Sequence, residues 1–251
     1  MQEFDEELWG HLLKKKLKEN IELTTKTWKK AYTSIDMEEF EETKQIIDQL
    51  KLSFGMPLRS CGLGLVIPSK IFELHHLKRL DLSNNYLERL PKAISNLVNL
   101  EELYLQNNNL EELPLELSHL VELRVLSAYS NFIVEIHQDL FKNLNKLEVL
   151  LLSHNQFRHF PTSILKLSGL STLGLSNNQI SEIPEDVIYM ENLRKLYIAS
   201  NNIIALKDEL GQLANMLEEL ELDNQVKVPL ELEYLKNSTS HSQIRGVKGI
   251  L

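Results

Sequence analysis

The sequence predicts an α/β solenoid, in which short parallel strands form one sheet and short helical or irregular segments form the opposite, convex side. The first observation is a unit of about 23 residues that repeats from Leu77 to Leu222. Within each full unit, apolar residues stand at positions one, four and six, and asparagine stands at position nine. A unit of this size cannot bury its own apolar face, so stability must come from stacking on its neighbours. The full units begin at Leu77, Leu100, Leu123, Leu147, Leu170 and Leu193, and a decaying unit begins at Leu217.

The alternation Leu-x-Leu predicts the strand of each unit, as at Leu80 and Leu82. A period of two gives a strand one buried face and one exposed face. The asparagine that follows stands where the chain must turn, and its amide can donate to and accept from backbone groups of a buried turn. Stacked turns would form a ladder of these amides, which ends where Gln225 replaces asparagine. The ladder consists of Asn85, Asn108, Asn131, Asn155, Asn178 and Asn201.

Proline marks the convex half of most units. It removes a donor and fixes φ, which suits the start of a short irregular or helical turn. The prolines are Pro68, Pro91, Pro114, Pro161 and Pro184. Two units carry His137 and Lys207 instead, and these are the two units that contain one extra residue. We therefore expect their extra residue on the convex side.

The run Leu77-Lys-Arg-Leu80-Asp-Leu82-Ser-Asn-Asn85, repeated at this period, resembles the leucine-rich repeat protein family. The ending Leu/Ile-Pro-x-x-Ile/Leu-x-x-Leu is similar to the short repeats of intracellular scaffold proteins related to Ras-pathway regulators and cell-polarity adaptors. The resemblance covers residues 63 to 222. It implies a horseshoe with a parallel concave sheet that acts as a binding surface. It leaves the partner open, because a fold does not fix a function.

Three segments are expected along the chain. Residues 1–53 lack the repeat but place apolar residues at helical spacing, which predicts an N-terminal helical segment that either caps the solenoid or binds a partner. Residues 54–235 form the solenoid, with a degenerate first unit, six full repeats and a decaying last unit. Within it, residues 228–235 are expected to form a last turn over the core. Residues 236–251 are polar, and we expect them to be disordered.

Composition limits the partner and the compartment. The formal charge of the 251 residues is −9, which argues against a nucleic acid or an anionic membrane as the partner. The one cysteine, Cys61, cannot form an internal disulfide. The acidic N-terminus lacks the apolar core of a signal peptide, and no apolar run approaches about 18 residues. We expect a cytoplasmic protein, with the nucleus as the alternative, that is monomeric on its own and binds no membrane.

No side-chain pattern in the sequence indicates catalysis. The eight histidines lack metal-ligand spacing with cysteine or carboxylates. His154 and His159 flank one predicted turn, which is a weak spacing for a metal site. Acidic pairs such as Glu111 and Glu112 recur at solvent positions of the repeat. We expect that the chain is not an enzyme and that it uses no cofactor and no metal.

A candidate protein-binding site follows from the strand positions that do not carry the core leucines. In the middle units these positions place apolar and aromatic residues together, while acidic residues collect at Glu219, Glu221 and Asp223. Exposed apolar residues and tyrosines are typical of interfaces, although strand propensity alone also favours valine, leucine and tyrosine. We expect a protein partner on the concave face, at Tyr104, Val125, Ser127, Tyr129, Val149, Leu151 and Tyr197.

The resulting functional hypothesis is a non-catalytic adaptor or scaffold that binds a protein through this face. Two alternatives belong to other classes. The chain could be a regulatory subunit of a phosphatase or of a small-GTPase pathway enzyme, in which case binding would change the rate of that enzyme. It could also attach to a cytoskeletal or structural assembly through residues 1–53.

Overall fold

The computed structural model describes residues 56–57, 67 and 69–236, and it contains one parallel sheet whose strands follow one another in chain order. This confirms the predicted solenoid with a parallel sheet. The N-terminal helical segment predicted for residues 1–53 and the tail after residue 236 lie outside the described residues. The strands are β1 Met56–Pro57, β2 Arg79–Asp81, β3 Glu102–Tyr104, β4 Val125–Ser127, β5 Val149–Leu151, β6 Thr172–Gly174, β7 Lys195–Tyr197 and β8 Glu219–Glu221.

The middle residue of each strand from β2 to β8 is a leucine that points into the core. These leucines pair along the sheet, as Leu80 does with Leu103 and Leu126 with Leu150. All of them are at most 1% exposed. The residues on either side of each leucine therefore lie on the opposite face of the sheet, which lines the inner side of the horseshoe and is called the concave face below.

The first strand, Met56–Pro57, belongs to the degenerate first unit. Its sequence does not show the Leu-x-Leu alternation, yet its backbone pairs with β2. Proline cannot donate to a ladder and is tolerated in strands at the edge of a sheet. Among the described residues, Pro57 stands in such an edge strand, because β1 pairs there with β2 alone.

Short 3₁₀ helices form most of the convex side. Their bounds are Ser69–Glu73, Lys92–Asn96, Leu115–His119, Thr162–Lys166, Glu185–Tyr189, Asp208–Asn215 and Leu230–Leu232, and the α-helix Glu233–Lys236 follows the last of them. Pro91, Pro114, Pro161 and Pro184 each stand directly before such a helix in extended conformation. The proline carbonyl accepts the first hydrogen bond, as from Ile94 N at 3.0 Å. The fixed φ thus sets the point at which each turn begins.

The two longer units keep the sheet in register. Leu126 pairs with Leu150 and Leu196 with Leu220, although the chain between the two leucines is one residue longer in these pairs than in the others. The extra residue therefore lies outside the sheet, as the sequence predicted. In the unit that carries Lys207, the convex helix lengthens to the eight residues Asp208–Asn215.

The ladder asparagines join each unit to the unit before it. Asn155 Nδ2 donates to Leu152 O of its own unit at 2.9 Å and to Ala128 O of the preceding unit at 3.0 Å. Its Oδ1 accepts from Ile133 N of the preceding unit at 3.0 Å. Asn108, Asn131, Asn178 and Asn201 repeat this pattern. The Asn155 side chain thus bonds to three backbone groups, and the two carbonyls among them also accept from the neighbouring ladder asparagines, Asn131 and Asn178.

The residue before each ladder asparagine adopts a positive φ of 55–57°, which turns the chain away from the sheet. Three of these residues are asparagine, which tolerates this region better than most residues. The six are Asn84, Asn107, Ser130, His154, Asn177 and Ser200.

The C-terminal end of the core is closed by the decaying unit. Val226, Leu232 and Leu235 are buried, as expected for a last turn over the core. Gln225, which replaces the ladder asparagine, is exposed. Backbone hydrogen bonds join this segment to the preceding unit. Lys227 N donates to Ile204 O at 3.0 Å, and Leu206 N donates to Lys227 O at 2.8 Å.

Replacing Asn155 with alanine tests the ladder. The substitution Asn155→Ala leaves the buried Ile133 N–H without its side-chain acceptor and removes one of the two asparagine donors from Ala128 O and from Leu152 O. We therefore expect a loss of about 1 to 3 kcal/mol in the free energy of unfolding. The loss is measured by urea unfolding followed by circular dichroism. The neighbouring substitution Gln156→Ala removes an exposed amide and is the matched control. Equal unfolding midpoints for the two variants would contradict the role of the ladder.

Candidate binding site on the concave face

The register arranges the concave side chains in three rows that cross the strands. Row 1 precedes the core leucines and row 2 follows them, while row 3 stands two residues further along. Row 1 is Arg79, Glu102, Val125, Val149, Thr172, Lys195 and Glu219. Row 2 is Asp81, Tyr104, Ser127, Leu151, Gly174, Tyr197 and Glu221. Row 3 is Ser83, Gln106, Tyr129, Ser153, Ser176, Ala199 and Asp223.

The middle of the face carries the central patch, defined as Val125, Tyr129, Val149 and Leu151. All four side chains are partly exposed, and they lie on neighbouring units. The structure therefore brings together these four residues of the predicted site. Leu151 leans toward the next strand, since a Cβ atom at Gly174 would lie 3.1 Å from Leu151 Cδ2. A side chain at this position would therefore require Leu151 and Ser153 to shift by a few tenths of an ångström.

The expectation that Tyr104 and Ser127 expose their side chains on the concave face is wrong. Tyr104 is 2% exposed and Ser127 is 1% exposed. The guanidinium of Arg79 lies over the Tyr104 ring, with Cζ 4.6 Å from the centroid. Tyr104 Oη donates to Glu102 Oε2 at 2.9 Å, and Arg79 Nη1 pairs with the same oxygen at 3.0 Å. Stacking and ion pairing thus fold two charged side chains against the ring.

Tyr197, the last predicted member of the site, lies in a similar arrangement at the other end of the face. Its Oη donates to Glu219 Oε2 at 2.7 Å, and Lys195 Nζ pairs with that oxygen at 3.0 Å. Tyr197 remains partly exposed. The two triads, Arg79–Glu102–Tyr104 and Lys195–Glu219–Tyr197, were not predicted from the sequence. A signal for them was present, since each tyrosine of row 2 has a glutamate of row 1 on its own or the next strand.

Burial and hydrogen bonding change the acidity of these groups. Burial, together with the hydrogen bond to Glu102, raises the pKa of Tyr104 to about 12. Burial and the contact with Glu219 also raise the pKa of Tyr197. For Glu219, burial acts to raise the pKa, but the hydrogen bonds from Tyr197 and Lys195 outweigh it and lower the pKa. Glu219 is therefore charged at neutral pH.

Two more carboxylates stand at the β8 end of the face. Glu221 Oε2 accepts a hydrogen bond from Ser176 Oγ at 3.3 Å, and Asp223 Oδ2 accepts one from Ser200 N at 2.8 Å. Both side chains are partly exposed. Within the described ranges, neither forms an ion pair with a lysine, arginine or histidine.

Two buried polar atoms lie on the same face beside the central patch. Ser127 Oγ and Gln106 Oε1 have no hydrogen-bond partner among the residues that the structure describes. A buried polar group without a partner costs about 1 to 3 kcal/mol. The face therefore combines apolar side chains with polar atoms that have spare hydrogen-bonding capacity.

The described part of the chain offers no metal or membrane-spanning element. No three histidine, cysteine, aspartate or glutamate side chains there are grouped so that they could hold a metal ion. Among the same residues, no helix has the length and apolar character needed to cross a bilayer.

The acidity of Tyr104 gives a prediction about stability in alkali. The pKa of Tyr104 is about 12 in the folded state, whereas an unfolded tyrosine has a pKa of about 10. The free energy of unfolding therefore falls as the pH rises between these two values. The expected loss is about 1 kcal/mol per pH unit. Tyr104→Phe removes this part of the pH dependence, as measured by urea unfolding at several alkaline pH values. Tyr189→Phe, at a position that is 74% exposed, is the control. The prediction would be contradicted if the free energy of unfolding depended on pH equally in both variants.

Comparison with known proteins gives the family. The chain matches the family model for the leucine rich repeat over residues 58–110 and 121–180, and the model for two copies of the repeat over residues 168–215. A leucine-rich repeat protein of Leptospira interrogans is 32% identical with a TM-score of 0.63, and the match covers 70% of this chain and 45% of that chain. No curated protein has a matching sequence.

Two plant receptors have similar structures. The ectodomain of the Arabidopsis thaliana receptor kinase GASSHO1/SCHENGEN3, in complex with CASPARIAN STRIP INTEGRITY FACTOR 2, is 33% identical with a TM-score of 0.59; the match covers 68% of this chain and 22% of that chain. The plant peptide hormone receptor RGFR1, in complex with RGF2, is 28% identical with a TM-score of 0.57. The match covers 68% of this chain and 29% of that chain. The chain spans less than half the length of each of these three proteins. With its repeats, its single parallel sheet and these matches, the chain belongs to the leucine-rich repeat family.

Proposed function

We propose that this chain is a non-catalytic adaptor that binds a protein partner on the concave face. The central patch is the observation that carries the proposal. Val125, Val149 and Leu151 remain partly exposed on adjacent strands, although apolar side chains of this size are usually buried. Contiguous exposed apolar residues with a neighbouring tyrosine are typical of interfaces between proteins.

The family supports binding as the general function. Leucine-rich repeat domains generally mediate contacts between proteins and are generally not catalytic. Two of the similar structures are receptors in complex with CASPARIAN STRIP INTEGRITY FACTOR 2 and RGF2, respectively. Binding through the concave face of this chain is our inference from the exposure of its own side chains.

The charge and cysteine content support the remaining parts of the proposal. A net charge of −9 disfavours nucleic acids and anionic membranes as partners. A single cysteine fits a reducing compartment such as the cytoplasm, because it cannot form an internal disulfide. We expect the chain to be monomeric until it meets its partner.

The proposal is tested by affinity capture from cell lysate, quantified by mass spectrometry. The variant Val149→Glu/Leu151→Glu introduces two charges into the central patch at positions that are only partly buried. We expect it to reduce the capture of the partner at least tenfold, because each carboxylate would lose solvation in the interface. Circular dichroism and urea unfolding verify that the variant folds.

The matched control places the same charges elsewhere. Val134 and Ile204 are 50% and 80% exposed and lie outside the three rows, so Val134→Glu/Ile204→Glu should retain the partner. Retention of every partner by the central-patch variant would overturn the proposal. The identity of a lost partner then separates an adaptor from a regulatory subunit, whose partner enzyme changes rate on binding.

A further inference from the structure

The charges of the concave face are distributed unevenly, and this distribution specifies the chemistry of the partner. The nine positions that the units of β4, β5 and β6 contribute to the three rows carry no charged side chain. All charged positions of the rows belong to the units of β2 and β3 at one end and to those of β7 and β8 at the other. A ligand that crosses the face therefore meets a neutral centre and charged ends.

Four of the seven charged side chains at these ends form ion pairs with one another. Arg79 pairs with Glu102, and Lys195 pairs with Glu219, each at 3.0 Å. At the β2 end, Asp81 Oδ1 accepts hydrogen bonds from Ser83 N at 3.0 Å and from Ser83 Oγ at 2.6 Å, which leave its negative charge in place.

The β8 end carries the larger excess of negative charge, because two carboxylates there lack an ion pair among the described residues, whereas Asp81 alone does so at the β2 end. Glu221 and Asp223 are bound by a serine hydroxyl and a backbone N–H, which leave their negative charges in place. Lys195 cannot neutralise both, since its ammonium already pairs with Glu219. Within the described residues, the β8 end of the face therefore has an excess of negative charge, which favours a cation on the partner.

Two buried polar side chains beneath the face have unused hydrogen-bonding capacity. Ser127 Oγ and Gln106 Oε1 are polar atoms of side chains that are at least 98% buried, and they lack a hydrogen-bond partner among the described residues. They stand in rows 2 and 3 of the units of β4 and β3, and the unit of β4 also contributes Val125 and Tyr129 to the rows. The accessible surface of both oxygens is close to zero, so a ligand can bind them only if the covering side chains move. A peptide carries N–H groups that could then donate to them.

The register sets the distance between the apolar and acidic parts. Leu151 and Glu221 stand in the same row, three strands apart, with Gly174 and Tyr197 between them. Neighbouring strands lie about 4.8 Å apart, so this separation is about 14 Å. An extended chain advances about 3.4 Å per residue, so about four residues span it.

We propose that the concave face binds an extended peptide segment that sets an apolar side chain on the central patch and, about four residues away, a lysine or arginine against Glu221 and Asp223. This inference rests on the proposed function, because it names the partner of the same face. The segment lies across the strands, with its basic side chain toward β8.

The experiment selects phage-displayed random dodecapeptides on the immobilised full chain. Enriched peptides are expected to carry a lysine or arginine about four residues from a leucine, isoleucine, valine or aromatic residue. A synthetic copy of the most enriched peptide is then titrated by fluorescence anisotropy. Glu221→Lys/Asp223→Lys is expected to weaken its binding about tenfold. Raising the salt concentration should weaken binding to the wild type as well, since exposed charges are screened.

Matched variants separate charge at the site from charge in general. Glu111→Lys/Glu112→Lys changes the net charge equally at two exposed positions outside the rows, and it should bind the peptide like the wild type. Glu221→Gln/Asp223→Asn removes the negative charge with little change in shape and should give an intermediate loss. Urea unfolding midpoints verify that all variants are folded.

The outcomes distinguish the two proposals. Enriched peptides without a basic residue, or equal affinity for wild type and Glu221→Lys/Asp223→Lys, would overturn the basic-peptide inference. The proposed function would survive that result if Leu151→Glu still abolished binding. Equal binding to Leu151→Glu and wild type would instead overturn the proposed function itself. The absence of any enrichment over an uncoated surface would count against both.

Discussion

The solenoid depends on the asparagine that closes each strand. A turn of the backbone inside a stack of units places N–H and C=O groups where water cannot reach them, so each group needs a partner within the protein. The side chain of Asn131 meets this need for two units, because it bonds to Ala128 O of its own unit and to Leu105 O and Leu110 N of the preceding unit. The apolar core supplies the stabilising burial, and the ladder fixes the register in which that burial occurs.

This register gives the concave face its chemical character. Because the core leucines face inward at a fixed position, every unit offers three side chains to the concave rows. In the middle units these side chains are apolar or small and polar, whereas at both ends a tyrosine, a glutamate and a cation form a triad. In the triads, both cationic side chains of the rows form ion pairs with glutamates. The centre is neutral because its residues are uncharged, and the β8 end is acidic because its one lysine in the rows is paired with Glu219.

The repeat predicts the fold well, because each unit lies in nearly the same environment as the next. The period places the core leucines, the turn asparagines, the convex prolines and the extra residue of the longer units. The exposure of the site residues is a different problem. Tyr104 and Tyr197 occupy the same row, yet Tyr104 is buried under Arg79 and Tyr197 is partly exposed. The row decides which face a side chain joins, but its cross-strand neighbour decides whether solvent reaches it. The first strand, Met56–Pro57, was not predicted because it lacks the Leu-x-Leu alternation, and among the described residues it pairs through its backbone with β2 alone.

The direction of the ladder has a consequence for synthesis on the ribosome. From Asn108 onward, each ladder asparagine accepts a hydrogen bond from a backbone N–H of the unit before it, as Asn178 does from Phe157 N at 3.1 Å. A newly made unit therefore keeps an unpaired donor until the asparagine of the next unit has emerged. If the chain folds during translation, each unit would therefore complete its hydrogen bonds only after the next unit has left the ribosome. The last complete unit is finished only when the segment around Lys227 has been released.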